Sequence, residues 1–169
     1  MITPEYVLTM ARYNAWQNKQ LMEIGEAMDE KALTKDRGAF FGSIQATLNH
    51  LLWGDMIWLS RINPPYPKPE GSIADSAEMW PTAAAWSADR FRCDGRIRIW
   101  AEGLGQLDLT GDLSFYSGVL DRHVVAPLGR CVVHMFNHQT HHRGQVHAML
   151  TAAGQTAPVS DLFLMPEDA

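Results

Sequence analysis

Two histidines near the C-terminal end of the chain, His138 and His142, have the spacing of a metal-binding pair. They belong to the segment 134–147, which contains five of the seven histidines in the sequence. Side chains four residues apart lie on the same face of a helix, so both imidazoles would point towards one place. Imidazole nitrogens are common ligands of transition metals, and an i, i+4 histidine pair is a frequent way to hold one. The alternative interpretation is a pair of surface or core histidines with hydrogen-bond partners.

The pair needs a third ligand from another part of the chain. Gln139, not an acidic residue, follows His138, so the segment is not the HExxH of a metalloprotease. His50 is the candidate, because it lies in the middle of an apolar segment that includes Leu48, Leu51 and Leu52. A lone histidine in such a segment is usually a core residue. The His138/His142 pair favours the ligand interpretation instead, because a third imidazole is what the pair lacks.

The periodicity of apolar residues places the pair on a long helix. It begins near Pro127 or Arg130 and ends at Gly154, a natural C-terminal stop. On a helical wheel at roughly 100° per residue, His142 falls inside the apolar face and His138 at its edge. The other histidines of the segment point away from that face: His134, His141 and His147.

Three further long helices are predicted by the same periodicity: one from residue 3 or 4 to about 28, one over 44–62, and one from about 79 or 82 to 103. Ser43 is suited to cap the second, and Pro81 is expected in the first turn of the third. On the third helix, Arg90 and Asp94 have the i, i+4 spacing of an ion pair. Asp55 on the second is predicted to be mostly structural, because it lies some 140° from His50 around the helix at roughly 100° per residue.

Two irregular segments connect these helices. The proline-rich segment 63–71 cannot be helix or central strand and predicts a stiff crossover loop. Rough alternation of apolar and polar residues over 112–125, with Gly118 in the middle, predicts a short β-hairpin before the last helix. The expected fold class is therefore all-α: a four-helix bundle with crossover connections and a small hairpin insertion, forming a single domain over residues 1–169.

Composition excludes several classes of function. The net charge is −5, with 19 acidic and 14 basic residues, which argues against nucleic acid as a partner. No apolar run approaches the roughly 20 residues that cross a bilayer, and the N-terminus lacks the pattern of a signal peptide. Cys93 and Cys131 form no disulfide framework, so a reducing cytoplasm is expected. Six tryptophans and two largely apolar helices favour a homodimer, because they offer more apolar surface than one small bundle buries.

Several short motifs together resemble the DinB/YfiT-like family of small bacterial proteins. The most specific is Asn137-His-Gln-Thr-His-His-Arg-Gly-Gln145, combined with the earlier Thr47-Leu-Asn-His-Leu-Leu52. Weaker matches are Tyr13-Asn-Ala-Trp16 in the first helix and the Arg90/Asp94 pair in the third. The resemblance spans nearly the whole chain.

This resemblance implies a four-helix bundle that binds a divalent metal through three histidines, which map to His50, His138 and His142. His141 is excluded because it points about 100° away from His142. Relatives of this kind are often dimers, and many have no known activity. Some are thiol S-transferases that use mycothiol, bacillithiol or glutathione, and one branch isomerises maleylpyruvate.

Three imidazoles suit zinc or nickel, with iron also compatible, and leave positions open for water or substrate. A thiol that enters such a position ionises readily, which predicts a metal-dependent transferase with a low-molecular-weight thiol cosubstrate. A metal-activated water would instead give a hydrolase, although no carboxylate stands out as its base. A non-catalytic binding or stress-response module with a structural metal is the third hypothesis. Arg143 is expected either to form a salt bridge within the fold or to orient an anionic substrate group.

Overall fold

The computed structural model describes residues 2–169 and contains five α-helices and one β-hairpin. The helices are α1 (Pro4–Ala27), α2 (Glu30–Thr34), α3 (Ile44–Ile62), α4 (Ala83–Glu102) and α5 (Leu128–Ala152). The strands are β1 (Asp112–Ser117) and β2 (Arg122–Pro127), which pair antiparallel just before α5. The four long helices and the hairpin confirm the predicted fold class.

Side-chain caps fix where three of the long helices begin. Thr3, Ser43 and Thr82 each accept a hydrogen bond from the backbone N–H three residues further on. Such caps satisfy a donor that the first turn would otherwise leave free. The cap at Thr82 corrects one expectation: Pro81 precedes the cap and lies outside α4. Gly154 follows α5 with φ +77°, a conformation that glycine adopts without strain.

The short helix α2 was not predicted from the sequence. Its five residues are too few to show a helical period, and Asp29 begins it by accepting a hydrogen bond from the Lys31 N–H. A tight turn over residues 38–42 then returns the chain to the start of α3. The crossover loop after α3 carries a single 3-10 turn, Asp75–Glu78, which packs against α3.

The bundle consists of two closely packed pairs, α1 with α4 and α3 with α5. Apolar side chains from all four long helices fill the space between the pairs, with Leu52, Trp86, Ile97 and Phe136 among the fully enclosed ones. Cys93 and Cys131 are both free and buried. Among residues 2–169, no helix combines the length and the apolar character needed to cross a bilayer.

An ionic cluster is buried at the centre of the bundle. The Arg90 guanidinium, fully enclosed, lies 2.7 Å from Asp55 Oδ2 and 2.7 Å from Asp94 Oδ1. Asn18 donates to both oxygens of Asp94. The predicted Arg90–Asp94 pair and the structural role of Asp55 are therefore confirmed. Burial raises the pKa of Asp55 to about 7, and the charge of Arg90 opposes that rise.

Arg143 does not form the expected salt bridge. Among the described residues, no carboxylate lies within 4.0 Å of its guanidinium, which donates to Gln139 Oε1 at 3.0 Å and lies over the ring of Tyr13. Its side chain is buried, and burial lowers its pKa to about 10. Both nearby carboxylates are already paired with Arg90, so Arg143 donates instead to a side-chain amide oxygen on its own helix.

Candidate metal centre

The structure brings His50, His138 and His142 together at one point between α3 and α5. One ring nitrogen of each lies within 4.8 Å of those of the others. His50 Nε2 lies 3.2 Å from His138 Nε2. The i, i+4 pair on α5 and the mid-helix histidine of α3 meet because these two helices pack along their length.

A hydrogen bond from the crossover loop orients His50. Its Nδ1 lies 2.8 Å from Ser76 Oγ, and the Ser76 hydroxyl donates its only proton to the Ile73 carbonyl at 2.6 Å. Ser76 must therefore accept from His50, which places the imidazole proton on Nδ1 and leaves Nε2 free. Asn49, next to His50, anchors the loop by donating to the carbonyls of Ala77 and Trp80.

His142 is oriented in the same way by a residue one turn further along α5. Its Nδ1 lies 2.8 Å from Gln145 Oε1, an atom that can only accept. The proton is again on Nδ1, so Nε2 is free to act as a ligand. The Gln145 amide donates in turn to His141 Nε2 at 3.3 Å. His141 thus supports the site from outside it and, like His134, is exposed.

The three side chains fit a metal ion. Tetrahedral zinc with nitrogen ligands at about 2.1 Å places those nitrogens about 3.4 Å apart, close to the His50–His138 separation. His50 Nε2, which carries no proton, faces His138 Nε2 at this distance, and among the described residues the buried Nδ1 of His138 has no hydrogen-bond partner. Metal-binding histidines usually donate their second ring N–H to a neighbouring acceptor, and His50 and His142 do so to Ser76 Oγ and Gln145 Oε1.

The three imidazoles are neutral near pH 7, as metal ligands must be. Burial and the neighbouring His142 lower the pKa of His50 to about 4. Burial and the surrounding histidines lower the pKa of His138 to about 3. Burial also lowers the pKa of His142, and the Gln145 hydrogen bond opposes the change.

Aromatic rings surround the group. Phe41 stacks on His50 with centroids 4.0 Å apart, and the Trp53 ring, further along α3, lies 6.2 Å from the same imidazole. His50 and His142 are buried, whereas His138 is only partly so and gives the group access to solvent. Among residues 2–169, no aspartate or glutamate belongs to the group.

Sequence reasoning missed four residues that shape the site. Gln145 had a readable signal, because it follows His142 by one helical turn, and so did Gly54, one turn after His50 on α3. Ser76 and Phe41 had none, because both lie in irregular segments that only the tertiary fold brings to α3.

Known proteins share both the sequence pattern and the fold of this chain. The chain matches the model of the DinB family over residues 1–169. The chain belongs to the DinB family. Protein DinB of Bacillus subtilis (strain 168) is 23% identical to it over 163 residues, covering 95% of this chain and 93% of that protein. A DinB-like protein from Bacillus cereus ATCC 10987, solved by crystallography, shares the fold with a TM-score of 0.68 at 21% identity, covering 93% of this chain and 97% of that one. The family resemblance read from the motifs is confirmed.

A substitution at Gly54 can test whether the position of His138 matters in this DinB-family site. A Cβ at residue 54 would lie 2.8 Å from His138 Cε1 and 3.3 Å from its Nδ1, so the imidazole would have to move. We expect Gly54→Ala to keep the fold, because alanine is the better helix former, and to weaken zinc affinity by roughly tenfold or more. Competition with a chromophoric chelator measures this. Gly144→Ala is the matched control, since a Cβ there meets no atom within 4 Å. Equal zinc affinity in both variants would contradict the assigned position of His138.

Proposed function

We propose that this DinB-family protein binds one divalent transition metal through His50, His138 and His142, and uses it to transfer a low-molecular-weight thiol to an electrophilic small molecule. The observation that carries the proposal is the group itself: three neutral imidazoles from two helices, with donor atoms within 4.8 Å of one another. Nitrogen ligands of this type suit zinc or nickel, and also iron.

Three protein ligands are fewer than such an ion accepts, which is typical of catalytic rather than structural sites. The ion, when bound, would favour the thiolate form of a thiol that enters the remaining position. Two residues of this chain orient the ligands: Ser76 and Gln145 fix the planes of two imidazoles. His138 is the partly exposed member of the group, and in this proposal the thiol approaches from its side.

The proposed step is a nucleophilic substitution. The thiol releases its proton to solvent, and a sulfur electron pair forms a new bond to the electrophilic carbon. The leaving group departs with the electrons of the broken bond, so no oxidant or reductant is needed. No strong general base is required either, because the thiol is acidic enough to ionise beside a cation.

The same geometry gives less support to a hydrolase. Water activation usually relies on a carboxylate near the metal as proton acceptor. Asp55, five residues after His50 on α3, is instead 1% exposed and bound to Arg90 in the core. Among the described residues, the histidine group contains no carboxylate that would serve.

The test compares thiol transfer by metal-loaded wild type and His142→Ala. Each protein is incubated with glutathione, bacillithiol or mycothiol and 1-chloro-2,4-dinitrobenzene, and the product is followed by absorbance. We expect at least one thiol to react faster with the wild type, by roughly tenfold or more. Removing a metal ligand should weaken metal binding more than removing a residue that only supports a ligand does. His147→Ala, an exposed histidine of the same helix, is the control. Equal rates for wild type and His142→Ala with all three thiols would contradict the transferase and favour a non-catalytic binding module.

A further inference from the structure

Two adjacent phenylalanines lie beside the histidine group, on the turn formed by residues 38–42. Phe40 is 83% exposed, although phenylalanine is among the more strongly buried residue types. Phe41 is half-buried, and the two rings meet edge to face with centroids 4.9 Å apart. Together they form what we call the aromatic turn.

The aromatic turn contacts the candidate metal ligands directly. The Phe41 ring lies almost parallel to the His50 imidazole, 25° from it with centroids 4.0 Å apart. The same ring is 5.6 Å from the His142 imidazole. Phe40 extends this aromatic surface outward from the ligands into solvent.

The backbone of the turn is fixed rather than loose. Gly38 and Gly42 have φ +72° and +79°, which only glycine adopts without strain. The Arg37 N–H donates to the Gly42 carbonyl and the Gly42 N–H to the Ala39 carbonyl, both at 2.8 Å. Asp36 Oδ1 accepts from the Gly38 N–H at 2.9 Å. The backbone that carries Phe40 is therefore ordered before a ligand binds, which reduces the entropy lost when a ligand packs on the turn.

Phe40 adds little to the stability of the fold, because most of its ring remains in water. Isolated exposed apolar residues are ordinary on protein surfaces. This one differs in its position, one residue from a ring that stacks on a candidate metal ligand. A planar apolar group bound beside His50 and His142, next to the Phe41 ring, would extend towards the exposed ring of Phe40 and gain an aromatic contact.

We propose that the aromatic turn is a specificity-determining surface that selects substrates with a planar aromatic group next to the atom that approaches the metal. This inference rests on the metal centre of the proposed function. It names the class of small molecule that the site prefers: aromatic rather than purely aliphatic ligands.

The experiment measures ligand binding rather than turnover. Protein is loaded with Co²⁺, whose visible absorption reports ligand exchange, and is titrated with benzyl mercaptan and with ethanethiol. These probes share the thiol and differ by a phenyl group. We expect the wild type to bind benzyl mercaptan more tightly, and Phe40→Ser to weaken that binding by about 2- to 10-fold, the effect of one aromatic contact. Ethanethiol binding should not change.

Phe91→Ser is the matched control, because Phe91 is 73% exposed on α4, in a helix pair other than the one that holds the histidines. It should behave as the wild type with both thiols. Phe41→Leu keeps an apolar side chain but removes the flat ring, so it should also lose the preference for benzyl mercaptan.

Three outcomes would overturn the inference, and they are distinguishable. If no Co²⁺ spectrum is observed, the proposed metal centre is refuted, and the inference that depends on it is refuted as well. A normal spectrum with equal effects of Phe40→Ser on both thiols would leave the metal centre standing and refute the aromatic preference alone. A change in mass by light scattering in Phe40→Ser, with unchanged thiol binding, would assign the ring to an interface between copies.

Discussion

Replacing His138 with alanine is expected to remove stoichiometric metal from the protein. Purified wild type should carry about one divalent ion per chain, held by three imidazoles. His138 is central to the group, 3.2 Å from His50 between Nε2 atoms and 4.4 Å from His142 between ring centroids. Without it two ligands remain, and we expect metal affinity to fall by roughly 100-fold or more. This loss should be larger than the loss caused by removing a residue that only supports a ligand.

Elemental analysis of wild type, His50→Ala, His138→Ala and His142→Ala, purified side by side, measures the loss and identifies the metal supplied by the host. His134→Ala is the control, because His134 lies one turn before His138 on α5 but outside the group. Circular dichroism checks that each variant keeps its helices. Full metal content in His138→Ala would refute the assignment of the three ligands.

The histidine group could be predicted in part because some of its information is local. An i, i+4 pair on one helix needs no knowledge of the tertiary fold, and His50 was proposed as its partner because it lies in a largely apolar segment and the pair lacks a third imidazole. The hydrogen bonds that orient the group were harder to predict from the sequence. Ser76 reaches His50 from a loop 26 residues away along the chain, and its position depends on Asn49 holding that loop. Nothing in the spacing of residues around Ser76 indicates this contact.

The long helices were predictable for a related reason. The predicted cap of α3, Ser43, acts over three residues, and the apolar period extends over several turns. The start of α4 was less well predicted, because Thr82 caps it and Pro81 lies outside it. Pairing of buried charges was predictable only within a helix. The Arg90–Asp94 pair follows from its i, i+4 spacing, whereas the competition that leaves Arg143 without a carboxylate arises where three helices meet. The prediction of a salt bridge for Arg143 was wrong because both aspartates are paired with Arg90.

Arg90→Ala is expected to destabilise the fold strongly. The guanidinium is fully buried and lies 2.7 Å from each of two buried carboxylates. Breaking a buried ion pair by removing one partner leaves uncompensated charge in a medium of low polarity, which costs about 3–5 kcal/mol. Two carboxylates lose the same partner in this variant, so we expect the upper part of that range. Urea unfolding followed by circular dichroism at pH 7.5 measures the change.

Arg92→Ala is the matched control on the same helix. Its ion pair with Asp89 is exposed, with 66% and 41% of the two side chains accessible. Exposed pairs of this kind contribute about 0–1 kcal/mol, so the control should unfold close to the wild type. A similar small loss in Arg90→Ala would show that the core cluster does not stabilise the bundle.

The pH dependence of the Arg90→Ala penalty tests its electrostatic origin. Burial already raises the pKa of Asp55 to about 7 and raises that of Asp94, with Arg90 opposing both changes. Without Arg90 these pKa values rise further in the folded protein. Between pH 7.5 and pH 5 the folded variant therefore holds more protons, relative to its unfolded chain, than the folded wild type does. Proton uptake by the folded state stabilises it, and the penalty should therefore shrink at pH 5. The lowered pKa values of the histidines affect wild type and variant alike and cancel in the difference. A penalty that stays constant between pH 7.5 and pH 5 would point to lost packing around Arg90 rather than to unpaired carboxylates.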